Sequence, residues 1–271
     1  MAVPAGVDGA MPYVEVSCRQ GVGARRRRPL LDCVTVRFED VRPVRPFRWP
    51  KGGCHFPGWY WAATTGQHVG FESWLERDRL VLMDFDPAVV GIASQPFWLH
   101  WHDGTRARRH APDFFVRRAD GSAVVVDVRA DDQIAPRDAA AFEVTRSACT
   151  EAGWGFERVG RPEPVLLANV RWLSRYRHPR CRQDPVAARL MEVLAHPGPL
   201  LAGAGKAGDW LATLPVLFHL LWRQELAAVR LAVELMGPHT VVRLAGGVPN
   251  DRGAAAGSAD GPDRRIPQEG C

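Results

Sequence analysis

Three stretches decide the fold of this chain: Gly70-Phe71-Glu72-Ser73-Trp74-Leu75-Glu76-Arg77-Asp78, Ala111-Pro112-Asp113-Phe114 and Val124-Val125-Val126-Asp127-Val128-Arg129. The first is predicted to lie on a helix that carries Glu72 and Glu76, and the other two are predicted to lie on strands. Carboxylates on three successive elements can meet around one divalent cation, and a positive charge at Arg129 can face the anion on which they act. The stretches therefore predict a metal site.

The predicted helix is supported by its apolar residues, which recur at roughly helical intervals from Phe71 to Leu82. The pattern stops near residues 84–87. Glu72 and Glu76 are four residues apart, so we expect them to share one helix face. For either glutamate alone, an ordinary solvent-exposed helix face is the alternative interpretation.

Apolar segments separated by short turns follow the helix, at residues 89–92, 97–101, 109–117 and 123–129. Asp103-Gly104 and Asp120-Gly121 are typical hairpin turns, so the last three segments are predicted to form an antiparallel meander. Val126 and Val128 should then face one side of the sheet, and Asp127 and Arg129 the other. A buried Asp127 would need a cation, donors or water, whereas a strand emerging into solvent is the alternative.

A second helix is predicted over residues 138–152, with Gly153 as its stop, followed by a strand at residues 155–159. The order is therefore helix, three strands, helix, strand. It predicts an α/β fold in which helices flank a mixed sheet.

These stretches, together with Asp84-Phe85-Asp86-Pro87 and Ser94-Gln95-Pro96, resemble TnsA-like endonuclease subunits of heteromeric bacterial transposases, which belong to the PD-(D/E)xK nuclease superfamily. The resemblance covers about residues 59–159. It implies a restriction-endonuclease-like fold and Mg²⁺-dependent hydrolysis of DNA phosphodiesters at transposon ends (5′-strand cleavage), with Mn²⁺ as a substitute ion. The partners it implies are double-stranded DNA at those ends and a DDE-type transposase subunit, with an ATPase regulator as a further candidate.

The same resemblance implies roles for individual residues. The metal ligands it implies are Asp113, Asp127, Glu76, Glu72 as the second candidate for the helix position, and the backbone carbonyl of Val128. The position of the family's lysine falls on Arg129. Arginine keeps its proton near neutral pH, so Arg129 could hold a phosphate but could not act as a base.

Two alternatives to a cutting subunit of a transposase are open, and the departure at Arg129 is the main support for the first. The first is a catalytically weak or inactive subunit that keeps the nuclease fold and binds DNA and its partner without cutting. The second is a standalone restriction or repair nuclease. An adjacent integrase-like transposase gene and an ATPase gene would favour transposition.

The region after residue 160 is predicted to form a small helical module. Asp184-Pro185 opens a helix with Ala187, Leu190, Met191 and Leu194 as its apolar stripe, and residues 198–208 are expected to form a glycine-rich turn. A short helix after Asp209, a longer one at residues 215–227 and a hairpin of residues 229–235 with 240–244 complete a winged-helix-like pattern. Its third helix is mostly apolar, so protein docking is at least as well supported as DNA reading.

Four regions are predicted along the chain: an N-terminal arm and first strand (1–48), a nuclease-like domain (49–160), the winged-helix-like module (161–245) and a disordered tail (246–271). The arm ends in a run of four arginines, Arg25-Arg26-Arg27-Arg28, which fits either a phosphate-binding arm or a solvated tail. The first strand is expected at residues 34–38, where Val34, Val36 and Phe38 alternate with polar residues.

Composition sets wider bounds. The 271 residues carry a formal charge of +5 and a pI near 9.1, which is compatible with a nucleic-acid partner. The six cysteines show no CxxC pair, which argues against a disulfide framework or a zinc ribbon, although His178 and Cys181 could supply half a zinc site. No segment reaches the roughly 18 apolar residues of a membrane span, so we expect a cytoplasmic protein.

Overall fold

A computed structural model of the chain describes residues 13–19, 26–47 and 56–246. Its six α-helices are α1 Trp74–Phe85, α2 Pro136–Glu151, α3 Pro164–Leu173, α4 Asp184–Val193, α5 Leu200–Ala207 and α6 Trp210–Trp222. Its strands are β1 Glu15–Cys18, β2 Arg28–Pro29, β3 Gly58–Ala62, β4 Gln67–Phe71, β5 Val89–Ser94, β6 Phe97–His102, β7 Ala107–His110, β8 Phe114–Arg118, β9 Ala123–Val128, β10 Gly155–Val159, β11 Gly198–Pro199, β12 Leu226–Ala228 and β13 Val241–Leu244. The predicted α/β class is confirmed. Of the predicted tail, only Gly246 is among the described residues. Arg25 of the arginine run also lies outside them.

The central sheet has the strand order β10-β9-β8-β5. β8 and β9 form an antiparallel hairpin in which Phe114 is paired with Val126, and β5 lies antiparallel to β8 on its other side. β10 runs parallel to β9, because α2 carries the chain back across the sheet between them. The sheet is therefore mixed, as the sequence predicted.

Strand β9 is buried on both faces, which explains its run of apolar residues from Ala123 to Val126. Val124 and Val126 belong to the same apolar cluster as Leu80 and Val81 of α1. Val125 belongs to a second cluster, with Ala148 and Cys149 of α2. Each fully buried valine contributes about 1.5–3 kcal/mol of hydrophobic free energy. β9 therefore stabilises the apolar clusters on both faces of the sheet.

The predicted three-stranded meander is wrong, because residues 109–117 do not form one strand. β7 ends at His110. β8 begins only at Phe114 and belongs to a different sheet, in which it lies between β9 and β5. β7 instead pairs with β6 in a sheet of order β2-β1-β6-β7. Pro112 explains the break, since it lacks a backbone N–H and restricts the residue before it.

The predicted strand at residues 34–38 is also wrong. The chain forms two short 3-10 helices there, Leu30–Cys33 and Phe38–Asp40. Phe38 is fully buried, and its ring packs against Phe97, Phe115 and Trp154. A tight turn places this side chain in the core, so the alternating pattern reflects turns and not a strand.

Helix α1 begins two residues later than Glu72, so this glutamate does not lie on the helix as predicted. Ser73 is the N-cap, and its hydroxyl accepts the Glu76 backbone N–H at 3.1 Å. The helix ends at Phe85, within the predicted range. Glu76 in its first turn lies near enough to Asp113, just before β8, for its charge to raise the pKa of Asp113.

The C-terminal region has the order α4, β11, α5, α6, β12, β13, and its three strands lie in the order β11-β13-β12. The glycine-rich stretch predicted as a turn is helix α5. Gly203 lets α5 approach α4 closely, since a Cβ there would lie 2.7 Å from Leu194 Cδ2. The two predicted helices after Asp209 are one helix, α6, with Pro215 inside it.

The predicted strand at residues 229–235 is wrong, although a hairpin does form nearby. β12 ends at Ala228, and residues 229–235 form an exposed turn that connects it to β13. The amide of Asn169 holds this turn, donating at 2.7 Å to the carbonyls of Leu231 and Glu234. These long-range hydrogen bonds override the local alternating pattern.

One apolar cluster runs from the central sheet into the C-terminal helices, including Leu80, Leu173, Leu217 and Leu220. Gln224 also donates to the Phe85 carbonyl at 2.7 Å. Within residues 13–19, 26–47 and 56–246, no helix combines the length and apolar character needed to cross a membrane.

Candidate active site

Glu76 forms a reciprocal cap at the start of α1. Its Oε2 accepts the backbone N–H of Glu72 at 2.8 Å, and its Oε1 accepts the Ser73 hydroxyl at 2.9 Å. This capping box is the structural role that an S-x-x-E sequence predicts. Burial raises the pKa of Glu76, and these two hydrogen bonds partly offset that rise.

Asp113 is buried just before β8, within electrostatic reach of Glu76 and Asp127. Its Oδ2 accepts the Val128 backbone N–H at 2.7 Å, which joins the start of β8 to the end of β9. Burial raises the pKa of Asp113 well above its usual range, and the charges of Glu76 and then Asp127 raise it further. The charges of Glu76 and Asp127 therefore both act on Asp113.

Asp127 is fully buried on the α2 side of β9. His110 Nε2 lies 3.0 and 2.9 Å from its two carboxylate oxygens, and the Asp113 backbone N–H donates to Oδ1 at 3.3 Å. Burial and then the charge of Asp127 raise the pKa of Cys149, on α2, to about 12. The predicted need of Asp127 for donors is thus met by protein groups.

Arg129 does not point into this cluster. Its guanidinium lies 3.9 Å from Asp138 Oδ2, in the first turn of α2, and its side chain is 46% exposed. Its backbone N–H donates to the Val159 carbonyl at 2.9 Å. The residue at the family's lysine position therefore packs against α2.

Glu72, the second candidate for the helix position, is paired with Arg45. Arg45 Nη2 lies 2.6 Å from Glu72 Oε2. The charge of Arg45 also lowers the pKa values of Glu76 and Asp113, against the larger effect of burial. Arg45 is thus a cation close to the carboxylates.

Sequence reasoning missed both Arg45 and His110. The only local indication of a role for His110 was its position three residues before Asp113 in the sequence. Arg45 lies in a proline-rich segment far from α1 along the chain, and nothing local marks it. Only the packing of distant segments brings these side chains to the cluster.

The carboxylates are the type of ligand that a hard divalent cation prefers. They are not, however, arranged as a preformed set of ligands. Oxygen donors at concentrated negative charge are what Mg²⁺ prefers. Within the parts of the chain that the structure describes, however, no group of three or more His, Cys, Asp or Glu side chains is arranged to hold a metal ion. At least one carboxylate oxygen of each of Glu76, Asp113 and Asp127 is hydrogen-bonded to a protein group instead. Of the suggested zinc half-site, His178 stacks on Trp61 and caps a short 3-10 helix.

A cleft of about 600 Å³ is lined by Arg45, the residue that pairs with Glu72. The segments that line it include Arg19, Arg42 and Arg45. Two acidic residues also line it, but Glu39 is paired with Arg117 and Asp40 with Arg37. An anionic ligand would therefore be attracted to this cleft.

Residues 86–159 match the family model described as the TnsA-like endonuclease N terminal. The matched region runs from the end of α1 through β10, so it contains Asp113, Asp127 and Arg129 but not Glu76. No curated protein matches the chain. The resemblance to TnsA-like endonucleases that the sequence motifs predicted is confirmed over residues 86–159, and it supports a nuclease related to transposase subunits.

Proposed function

We propose that this chain is a divalent-metal-dependent DNA endonuclease subunit of a heteromeric transposase, which hydrolyses phosphodiesters at the ends of the element (5′-strand cleavage). The observation that carries the proposal is the burial of Asp113, just before β8 in the matched region, close enough to Glu76 and Asp127 for both of their charges to raise its pKa. Such a concentration of buried negative charge is costly without a cation, and functional sites are where it is found.

Asp113, Asp127, Glu76 and the Val128 carbonyl would hold the Mg²⁺, with Glu72 as the alternative to Glu76. Mg²⁺, when bound, polarises the phosphodiester and lowers the pKa of a water molecule. In the reaction the water oxygen bonds to phosphorus, the bond from phosphorus to the leaving ester oxygen breaks, and that oxygen takes up a proton. Binding would require Glu76 and Asp113 to exchange their present protein donors for the ion.

The DNA would lie along the cleft that contains Arg19, Arg42 and Arg45. Arginines that contact phosphates fix the register of a duplex without reading its sequence. Such contacts suit a subunit that selects the transposon ends together with a partner protein. We infer that this partner is a DDE-type transposase, with an ATPase regulator as a further candidate.

The C-terminal region would act as a winged-helix-like module, which its element order and strand order support. Its third helix, α6, is largely buried from Val216 to Trp222, which leaves little surface for base reading. At the start of α6, by contrast, Trp210 is 54% exposed and Leu211 is 88% exposed. These apolar side chains favour docking to a partner protein over DNA recognition.

A non-cutting assembly subunit is the second candidate. Two observations favour it: Arg129 is engaged by Asp138, and the carboxylate oxygens are already hydrogen-bonded by the protein. Such a subunit would bind DNA and the transposase without hydrolysing the phosphodiester.

The deciding experiment measures nicking of labelled element ends by the full chain with its partner transposase in Mg²⁺. Asp113→Asn keeps an acceptor for the Val128 N–H but removes the negative charge, so we expect a folded protein that does not cut. Asp132→Asn is the matched control, because Asp132 is an exposed aspartate paired only with Arg161 among the described residues. Undiminished nicking by Asp113→Asn would exclude the proposed catalytic site. A wild-type protein that binds Mn²⁺ and DNA but does not nick would establish the assembly subunit.

A further inference from the structure

Arg45, from the N-terminal segment, lies close to the carboxylates, whereas Arg129 does not. Arg129 is drawn toward Asp138 of α2. Arg45 reaches the carboxylates from the other direction and forms a 2.6 Å ion pair with Glu72. It also lines the arginine-containing cleft. Arg45 therefore pairs with the carboxylate of Glu72 and also lines the cleft where an anion would bind.

The backbone holds Arg45 in this position through two consecutive hydrogen bonds. The Val44 N–H donates to the Gln95 carbonyl at 2.9 Å, and the Gln95 N–H donates to the Asp113 carbonyl at 2.9 Å. Gln95 itself is buried and has a positive φ of 45°, a conformation that is unfavourable for a residue with a side chain. The fold thus accepts strain at the point that links Arg45 to Asp113.

The side chain of Phe47 anchors the same segment two residues further on. Its ring packs so closely on Gly70 that a Cβ at that position would lie 2.1 Å from Phe47 Cζ. The ring also stands edge-on to Trp59, with centroids 5.1 Å apart. This packing fixes the segment against β3 and β4, just ahead of α1.

The guanidinium of Arg45 is incompletely satisfied by the protein. Its Nε is buried and has no hydrogen-bond acceptor among the described residues. A buried donor without a partner is unfavourable. The side chain as a whole is 39% exposed, so an anionic ligand in the cleft could bind its guanidinium. Arginine also suits the task, because its planar fork matches a phosphate and it stays protonated.

We propose that Arg45 supplies the positive charge that faces the scissile phosphate, in the role that the family resemblance implied for Arg129. This inference rests on the proposed nuclease function and names a different residue for one of its parts. Arg45 keeps its proton throughout and stabilises negative charge on the phosphate oxygens. Its pairing with Glu72 holds it at the cluster when DNA is absent.

The test compares Arg45→Gln, Arg45→Lys and Arg129→Gln in nicking and in Mn²⁺ binding by titration calorimetry. Glutamine keeps the side-chain stem and removes the charge. We expect Arg45→Gln to lower the nicking rate by about 100-fold or more, as the loss of one stabilising group commonly does. Lysine should restore part of the rate, and Arg129→Gln should nick nearly as fast as the wild type. Arg161→Gln, which removes an exposed arginine far along the chain, is the matched control.

Mn²⁺ binding gives a readout that does not depend on cutting. Removing a positive charge beside the carboxylates should tighten Mn²⁺ binding by Arg45→Gln about 3- to 10-fold, while Arg129→Gln should leave it unchanged. Thermal unfolding checks that each variant folds, and Arg45→Lys covers the case in which the glutamine variant does not.

The outcomes separate the two proposals. If the wild type nicks but Arg129→Gln loses as much activity as Arg45→Gln, or more, the role of Arg45 is overturned and the nuclease stands. If the wild type binds Mn²⁺ without nicking, unchanged Mn²⁺ affinity in Arg45→Gln overturns the placement of Arg45. A wild type that neither nicks nor binds Mn²⁺ overturns the nuclease function, and the inference about Arg45 falls with it.

Discussion

His110 Nε2 lies 2.9 Å from Asp127 Oδ2 and 3.0 Å from Oδ1, so one imidazole contacts both oxygens of a carboxylate that is only 1% exposed. The contact joins the end of β7 to the end of β9, which belong to different sheets. It explains how an aspartate is accommodated at the end of a buried valine run. It also fixes the direction in which a predicted metal ligand points.

We therefore predict that His110→Ala destabilises the protein by about 2 kcal/mol, because the hydrogen bond to a buried charged group is lost. Nicking should fall as well, since Asp127 is no longer held. Chemical denaturation measures the first effect. His196→Ala, at an exposed histidine, is the control. An unfolding free energy equal to that of the wild type would show that His110 does not hold Asp127 in solution.

The two roles of Glu76 can be separated by substitution. Glutamine also serves in a capping box, so Glu76→Gln should change the unfolding free energy by less than about 0.5 kcal/mol. Its weaker metal binding should lower nicking by at least about 100-fold. Ser73→Ala should do the reverse, losing about 1 kcal/mol of stability while it retains nicking. If Glu76→Gln nicks like the wild type, Glu76 is a cap and not a ligand.

Asp84 is predicted to be a structural residue, although it lies in a motif of the resemblance. Its carboxylate accepts the Tyr60 hydroxyl at 2.8 Å and the backbone N–H groups of Ala63 and Thr64 at 3.0 and 2.8 Å. Burial, and then the charge of Asp84, raises the pKa of Tyr60. Asp84→Ala leaves three donors without their acceptor and should cost about 3–5 kcal/mol.

Tyr60→Phe provides the comparison for Asp84, since it removes one of these hydrogen bonds and should cost about 1 kcal/mol. Both values come from urea denaturation of the metal-free protein. A loss below 1 kcal/mol for Asp84→Ala would contradict the hydrogen-bond network described above.

His219 should make stability depend on pH. Its Nδ1 donates to the Tyr176 carbonyl at 2.7 Å, and burial, together with the charges of Arg223 and Arg182, lowers its pKa from 6.5. Below pH 6.5 the unfolded chain takes up a proton on this histidine and the folded chain does not. The contribution of His219 to the unfolding free energy is therefore complete above pH 6.5 and declines as the pH falls toward the lower folded-state pKa.

The slope from this one group is at most about 1.4 kcal/mol per pH unit. His219→Asn keeps a donor for the Tyr176 carbonyl and removes the titration, so its stability should fall less steeply below pH 6.5 than that of the wild type. The difference between the two proteins isolates His219 from other titrating groups. Parallel stability curves for both proteins would show that His219 keeps a normal pKa in the folded state.

Local patterns predicted the elements whose packing agrees with their own periodicity. The valine run of β9, the hairpin turn at Gly121 and the stop of α2 before Gly153, which has a φ of 73°, follow from short-range rules. The resemblance to TnsA-like endonucleases rested on the same local stretches. They also identified Asp113, because a Pro-Asp pair before an apolar strand is visible within a few residues.

Short-range rules failed where a distant contact decided the conformation. The alternating residues 229–235 form a turn because Asn169 hydrogen-bonds to it, and residues 34–38 form turns because Phe38 packs into an aromatic cluster. Neither partner is a neighbour in the sequence. The final register of these segments is therefore a tertiary property.

The sequence by itself determined the α/β class, most elements of the central sheet and the carboxylates that its motifs supply. Only the tertiary structure decided which charges meet: Arg129 pairs toward Asp138, while Arg45 and His110 come to the carboxylates from separate segments. The physical reason is distance. Periodicity and turn chemistry act over a few residues, whereas a buried carboxylate takes its partner from whichever donor the packed chain brings within about 3 Å.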